Sequence, residues 1–289
     1  MQTKATLWCQ RLNGSRAETL PARQLYSGDH WSIARSLESA STASGAGVRL
    51  WIASAGYGLI AMDTLLKPYS ATFSSDHPDS IAKGTISEDR VSVVRHWWDA
   101  MSQHDIAKTA QPRTIADIAA DAPTSPLLII ASENYLRALQ QDVLSAMPLL
   151  NNVELLSIFS AGCRSLDNLT EHLVPYDARM QHVVGGALRS LNMRVAQLAL
   201  SSCRGSPPTY AVLRQKLSRL MRQQPDLTRF DRQPMTDDDV RSYILKELRE
   251  ESTGCHTPLL RKLRDTGHAC EQKRFARLFR EVREHLNGT

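Results

Sequence analysis

Four short apolar runs, Ala5–Cys9, Val48–Ala53, Leu127–Ala131 and Val153–Phe159, punctuate the first part of the chain. Each is too short for a helix and is β-branched or wholly apolar, which predicts buried strands. Helical spacing lies between them. Trp31, Ala34 and Leu37 mark one helix, which runs on through Glu38 to Ala40. Ser87 is placed to cap another, with Val91, Val94, Trp98 and Met101 on one face. Asn134–Ala146 and Ala187–Ser201 read the same way, the latter with Leu188, Leu191, Val195 and Leu198 in register. Strands alternating with helices predict an α/β domain built on a mostly parallel sheet with flanking helices. Such sheets place their sites at the carboxyl ends of the strands. Residues 70–86 and 105–126 are rich in Ser, Asp, Pro and Thr and are expected to be surface loops. The Gly- and Pro-containing segment Ser201–Pro208 is the expected boundary, giving an α/β domain over 1–205 and a second domain over 209–289. No internal repeat or low-complexity tract is present.

The pattern in the second domain is helical throughout. Thr236 followed by Asp237, Asp238 and Asp239 opens a helix with a capping box, and Val240, Ile244 and Leu248 form its stripe. Thr253-Gly254 ends it. Thr257-Pro258 starts a second helix, striped by Leu259, Leu260 and Leu263 and stopped by Gly267. A third runs from about Cys270 to Leu286, with Phe275, Leu278, Phe279 and Val282 on one face. Lys273, Arg274, Arg277, Arg280 and Arg283 take the remaining circumference, diluted by Glu281 and Glu284. Two short helices joined by a glycine turn, the second basic on its outer face, suit a helix-turn-helix or winged-helix-like reader of double-stranded DNA. Arg261, Lys262, Lys273, Arg274, Arg277 and Arg280 are the candidate DNA contacts. A solvated helix of a small bundle is the alternative reading of the same pattern.

Charge sharpens this division. Residues 210–289 hold 17 Lys/Arg against 12 Asp/Glu, so the whole formal net charge of +5 lies there and the rest of the chain balances. A neutral body with a basic end suggests a catalytic or ligand domain carrying a polyanion-binding module. With 42% hydrophobic and 22% charged residues, the 289-residue chain can bury about two ordinary cores. No apolar run approaches the ~18 residues of a membrane span, and the start of the chain lacks a signal-peptide pattern. The expectation is a soluble, cytoplasmic protein without a membrane partner. The five cysteines contain no CxxC pair, which fits a reducing compartment. Cys255, His256, His268 and Cys270 are irregularly spaced for a zinc site, so no metal or other cofactor is expected.

The second strand runs straight into Ser54-Ala55-Gly56-Tyr57-Gly58-Leu59, followed by Asp63, Lys67-Pro68-Tyr69 and Ser70. Glycines after a buried strand permit a tight turn and close backbone approach to a ligand. A carboxylate, a cation and two phenols near one strand end could combine acid–base work with base stacking. A plain turn, with Asp63 capping a helix, is the structural alternative. Tyr26-Ser27, Leu50-Trp51-Ile52-Ala53, the Ser54–Ile60 turn, Asp63 and Pro68-Tyr69 together resemble the YaaA-like superfamily, over roughly residues 1–75. Ser132–Tyr135 and Gly185-Gly186-x-x-Arg189-x-x-Asn192 carry weaker echoes. The family often has a lysine where this chain has Gly56, which puts a cation at that point in doubt.

The resemblance implies DNA-linked activity. YaaA proteins are DNA-binding proteins of peroxide stress. Related domains include anti-phage DNA glycosylases that excise glucosylated hydroxymethylcytosine. The tail Leu260-Arg261-x-Leu263-Arg264-x-x-Gly267-x-Ala269-Cys270 is similar to the DNA-binding end of such proteins. The expected function is therefore a base-excising glycosylase acting on modified phage DNA. Asp63, Tyr57 and Lys67 are the catalytic candidates, and Ser54, Tyr69, Asn134, Tyr135, Arg189 and Asn192 would hold the flipped base. The alternatives are a non-enzymatic DNA-binding stress or regulatory protein and an enzyme of free nucleosides.

Overall fold

The computed structural model describes residues 2–44, 47–104, 112–163, 166–203, 206–227, 231–250 and 255–287. The chain forms two compact units, Met1–Asp226 and Leu227–Thr289. Most of it is helical, and its strands are short.

In the first unit the elements run α1 (Gln2–Gly14), β1 (Leu20–Pro21), α2 (Ala22–Leu25), α3 (Asp29–Ser44), β2 (Trp51–Ser54), β3 (Gly58–Ala61) and β4 (Leu65–Leu66). Then follow α4 (Arg90–Gln103), α5 (Ile115–Asp121), β5 (Leu127–Ile130), α6 (Glu133–Ala146), β6 (Leu156–Phe159), α7 (Gln181–Val184), α8 (Leu191–Ser201) and α9 (Tyr210–Arg222). The predicted strands at Leu127 and within Val153–Phe159 are β5 and β6, which pair in parallel with Leu127 opposite Leu156. The run at Val48–Ala53 supplies β2. It pairs antiparallel with β3, as β1 does with β4, so among the described residues the strands form two-stranded pairs and the mostly parallel sheet is not seen.

Ala5–Cys9 is helical rather than a strand. Ala5, Cys9 and Leu12 are all buried, a 3.6-residue period that continues past the apolar run. Within the expected loop at 105–126, residues 105–111 lie outside the described part, and α5 forms after them. Thr114 and Asp117 make a reciprocal capping box at its start. A tertiary contact completes that helix end. Asp142, buried in α6, accepts hydrogen bonds from the amides of Ile115 (2.9 Å) and Ala116 (3.1 Å) and from Trp98 Nε1 (2.9 Å). Burial pushes this carboxyl up, and the three donors oppose the shift.

The main core packs Trp97, Trp98 and Met101 of α4 against Leu136, Leu139 and Val143 of α6 and against β5 and β6. A second core joins β6, α8 and α9 through Phe159, Leu191, Val195, Leu213 and Leu217. Thus α9, lying beyond the expected boundary at 205–209, packs within the first unit.

The second unit contains β7 (Gln233–Pro234), α10 (Asp237–Glu250), α11 (His256–Asp265), β8 (His268–Ala269) and α12 (Gln272–Asn287). Its separate core joins Val240 and Ile244 to Leu259, Leu260, Leu263, Cys270, Phe275, Leu278 and Phe279. Burying a side chain such as Phe275 contributes about 2–3 kcal/mol. The Thr236–Asp239 capping box forms, with Asp239 N donating to Thr236 Oγ1 at 3.2 Å. Gly267 adopts φ +83°, the left-handed conformation that ends α11. The stop at Thr253-Gly254 lies outside the described residues. No described helix is long and apolar enough to cross a membrane.

Candidate functional site

The glycine turn after β2 is built from its own polar atoms. Ser54 pairs with Gly58 at the end of the hairpin, and Gly58 has φ +73°. Ser54 Oγ accepts the amides of Gly56 (3.2 Å) and Tyr57 (3.1 Å). Two indoles take the carbonyls, Trp97 Nε1 donating to Ala55 (2.7 Å) and Trp8 Nε1 to Gly56 (2.8 Å). The turn is therefore buried and internally bonded, and those two amides are not presented to a ligand.

Ser54 begins a chain of hydroxyls. A hydroxyl oxygen offers two acceptor positions, and the two amides fill those of Ser54. Its proton therefore goes to the Tyr69 hydroxyl, 2.7 Å away. Tyr69 and Tyr26 share the next hydrogen bond, at 2.6 Å, in which either hydroxyl can be the donor. Tyr26 is thereby tied into the same hydroxyl cluster as Ser54 and Tyr69. Burial pushes the phenols of both Tyr26 and Tyr69 up, so both remain hydrogen-bond donors near neutral pH. Trp31 lies against Tyr26 with ring centroids 4.7 Å apart. Tyr135, in the first turn of α6, adds a third phenol, with its hydroxyl 3.5 Å from Thr72 Oγ1.

This cluster gathers Ser54, Tyr69 and Tyr135 from the expected base-binding set, together with Tyr57, whose ring centroid is 5.3 Å from that of Tyr69. The Tyr57 hydroxyl is occupied, accepting from Lys67 N and donating to Lys67 O, both at 3.0 Å. Asp63 is not part of the cluster. Its side chain is 79% exposed and paired with Arg23 Nε at 2.6 Å, and it lies between β3 and β4 rather than at a helix start. Lys67 turns away as well. Its Nζ donates to the carbonyls of Leu12 (3.1 Å), Asn13 (3.0 Å) and Ser15 (2.6 Å), holding the C-terminal end of α1. Lys67→Met is accordingly expected to cost about 1–2 kcal/mol of stability, read as a lower melting temperature. Unchanged melting would contradict the capping role.

Asn134 and Arg189 lie exposed on the surface. Asn192 is a clip within the fold. Its Nδ2 donates to Ala131 O (2.9 Å), and its Oδ1 accepts from Ala161 N (2.8 Å) and the Tyr176 hydroxyl (2.7 Å). These bonds fasten α8 to the exits of β5 and β6.

In the second unit the six candidate DNA contacts divide. Arg274 bonds Asp237 Oδ1 through Nε at 2.6 Å and Met235 O at 2.9 Å, tying α12 to the start of α10. Arg277 pairs with Asp237 (2.9 Å) and Glu281 (2.6 Å). Lys262 pairs with the buried Glu247 at 2.5 Å. These three serve the fold. Arg261, Lys273 and Arg280 are exposed and make no ion pair among the described residues. Arg261 also lines an open cleft with Thr257, Pro258, Lys262, Asp265 and Thr266.

The arginines hold the Asp237 carboxyl below its usual range, first Arg277 and then Arg274. Thr236 does the same for Asp239, the Lys273 and Arg274 amides for Glu271, and Arg241 with Arg277 for Glu281. Carboxyls depressed on folding stabilise the unit above their unfolded pKa of about 4. That contribution is lost as pH falls through the lower folded values. Thermal melting of residues 227–289 should be level from about pH 8 to 5 and fall below about pH 4. A melting temperature that rises on acidification through that window would contradict it.

Two features escaped the sequence reading. Tyr26 entered only through the resemblance, because its partners lie far along the chain at Ser54 and Tyr69. The cationic helix α9 was merged with the tail, although Leu213, Leu217 and Met221 at helical spacing marked it as a packed amphipathic element. No family model, curated protein or solved structure matches the chain.

Proposed function

We propose that the chain is a duplex-DNA-binding protein whose Leu227–Thr289 unit holds the phosphate backbone. The observation carrying this reading is the division of its basic residues. Arg274, Arg277 and Lys262 are used up internally, whereas Arg261, Lys273 and Arg280 are exposed and have no ion pair among the described residues, on a unit with its own core. The order α11, glycine turn, α12 is that of a helix-turn-helix. The six residues between the helices include β8, a longer link than the usual short turn. Lys273 and Arg280 leave α12 opposite Phe275 and Val282, so the face away from the core is the one available to DNA. Phosphate contacts carry little sequence information. Unrelated duplexes should therefore compete almost equally for the protein in a titration, and strong preference for one sequence would count against this mode.

The hydroxyl chain favours a second reading, the base-excising glycosylase that the YaaA-like resemblance implies. The Tyr26 hydroxyl would then turn from its bond with Tyr69 to meet the flipped base or its sugar, beside Trp31. Asp63 has no place in that chemistry. Abasic-site release from glucosylated hydroxymethylcytosine DNA should fall severely in Tyr26→Phe and persist in Asp63→Asn. The opposite pattern would restore Asp63, and no release by the unmutated protein would leave the binding reading alone.

A further inference from the structure

We infer that α9 is a second phosphate-backbone contact, carried by the first unit. The inference rests on the duplex-DNA reading and extends it to a surface outside the C-terminal unit. The helix Tyr210–Arg222 contains Arg214, Lys216, Arg219 and Arg222 and no acidic residue. Its apolar face is spent, because Leu213, Leu217 and Met221 are buried with Phe159, Leu191 and Val195. A helix whose apolar side is already packed cannot enter a bilayer or seat in a partner's apolar groove, so what it offers is charge.

The charge is concentrated here. Leu227–Thr289 has 13 basic residues against 11 acidic ones, an excess of only two. Residues 1–226 hold 22 basic and 19 acidic residues, and without the four cations of α9 they would be one short of balance. The excess once assigned to the tail therefore sits largely on one helix of the first unit.

The four cations differ in use. Lys216 Nζ donates to Ser202 O at the end of α8. Arg214 is near Tyr210, which also feels Glu154 and Glu171, so that end of the helix is electrostatically mixed. Arg219 and Arg222 are exposed, one turn apart, and make no ion pair among the described residues. Asp226, just beyond them, is engaged by Arg179 at 3.1 Å. Residues three apart on a helix are neighbours, so the two guanidiniums form a paired cationic end matched to successive phosphates of one strand.

The test is a titration of the full chain with duplex DNA across a salt series. It compares the unmutated protein, Arg219→Gln with Arg222→Gln, Arg219→Lys with Arg222→Lys, and Arg261→Ala with Lys273→Ala and Arg280→Ala. Losing two phosphate contacts should lower the log–log salt slope by about 1.8 and weaken binding roughly 50-fold near 0.1 M salt. The lysine pair should keep the slope. If the glutamine pair binds like the unmutated protein while the C-terminal triple substitution weakens binding, the α9 contact is refuted and the DNA reading stands. If the unmutated chain does not bind duplex at low salt, both fall. Equal weakening in the lysine and glutamine pairs would also refute a contact made by charge. Binding of α9 to phosphatidylserine vesicles but not to DNA would replace the proposed occupant.

Discussion

Replacing Arg261, Lys273 and Arg280 together by alanine should weaken duplex binding by a hundredfold or more near 0.1 M salt while leaving the melting temperature almost unchanged. At that salt each lost phosphate contact removes roughly tenfold in affinity. None of the three residues belongs to the core of Val240, Leu260, Phe275 and Leu278, and none is in an ion pair among the described residues. Surface substitutions of this kind stay within about 0.5 kcal/mol. The contrasting variant is Arg274→Ala with Arg277→Ala. It strips Asp237 of its two hydrogen-bonded arginines, leaving only Arg241 at 4.0 Å, and frees Met235 O, so its main effect should be on stability. Circular-dichroism melts beside DNA titrations separate the two sets. Equal loss of binding without destabilisation in both would mean that the paired arginines open to reach phosphate.

Gly56→Ala should destabilise the first unit by about 1–3 kcal/mol from overpacking alone. A Cβ at this position would stand 2.5 Å from Cδ2 and Cε2 of Tyr69. The obstacle is an aromatic ring held at its far end by Ser54 and Tyr26, at 2.7 and 2.6 Å, rather than the tip of a flexible chain. Relief requires the ring to swing, which breaks the hydroxyl chain. A thermal melt reads the destabilisation, and an unshifted melting temperature would show that Tyr69 is free to move.

Local signals were legible in the sequence where they involved neighbours along the chain. The Thr236–Asp239 box, the Gly267 stop, the span of α6 and the faces of α4 and α12 all follow from spacing. Ala5–Cys9 misled because a five-residue apolar run fits either state, and only Leu12 carries the helical period onward. At the candidate site, closeness in sequence did not become closeness in space. Asp63 and Lys67 follow the glycine turn directly, yet one meets Arg23 and the other α1. Tyr26, 43 residues before Tyr69, supplies the hydroxyl that meets it. Charge counting located the positive excess in residues 210–289 but could not separate α9 from the tail, because that separation depends on which core Leu213 and Leu217 enter.

The most direct test of the DNA-binding claim is the equilibrium affinity of the unmutated full chain for a duplex, measured between about 50 and 200 mM salt. A protein held by several phosphate contacts loses affinity linearly in log–log form, with a slope near −0.9 per contact. Arg261, Lys273 and Arg280 alone predict a slope of about −2.7, and Arg219 with Arg222 steepens it to about −4.5. A flat salt dependence, or no binding at the lowest salt, would contradict the account.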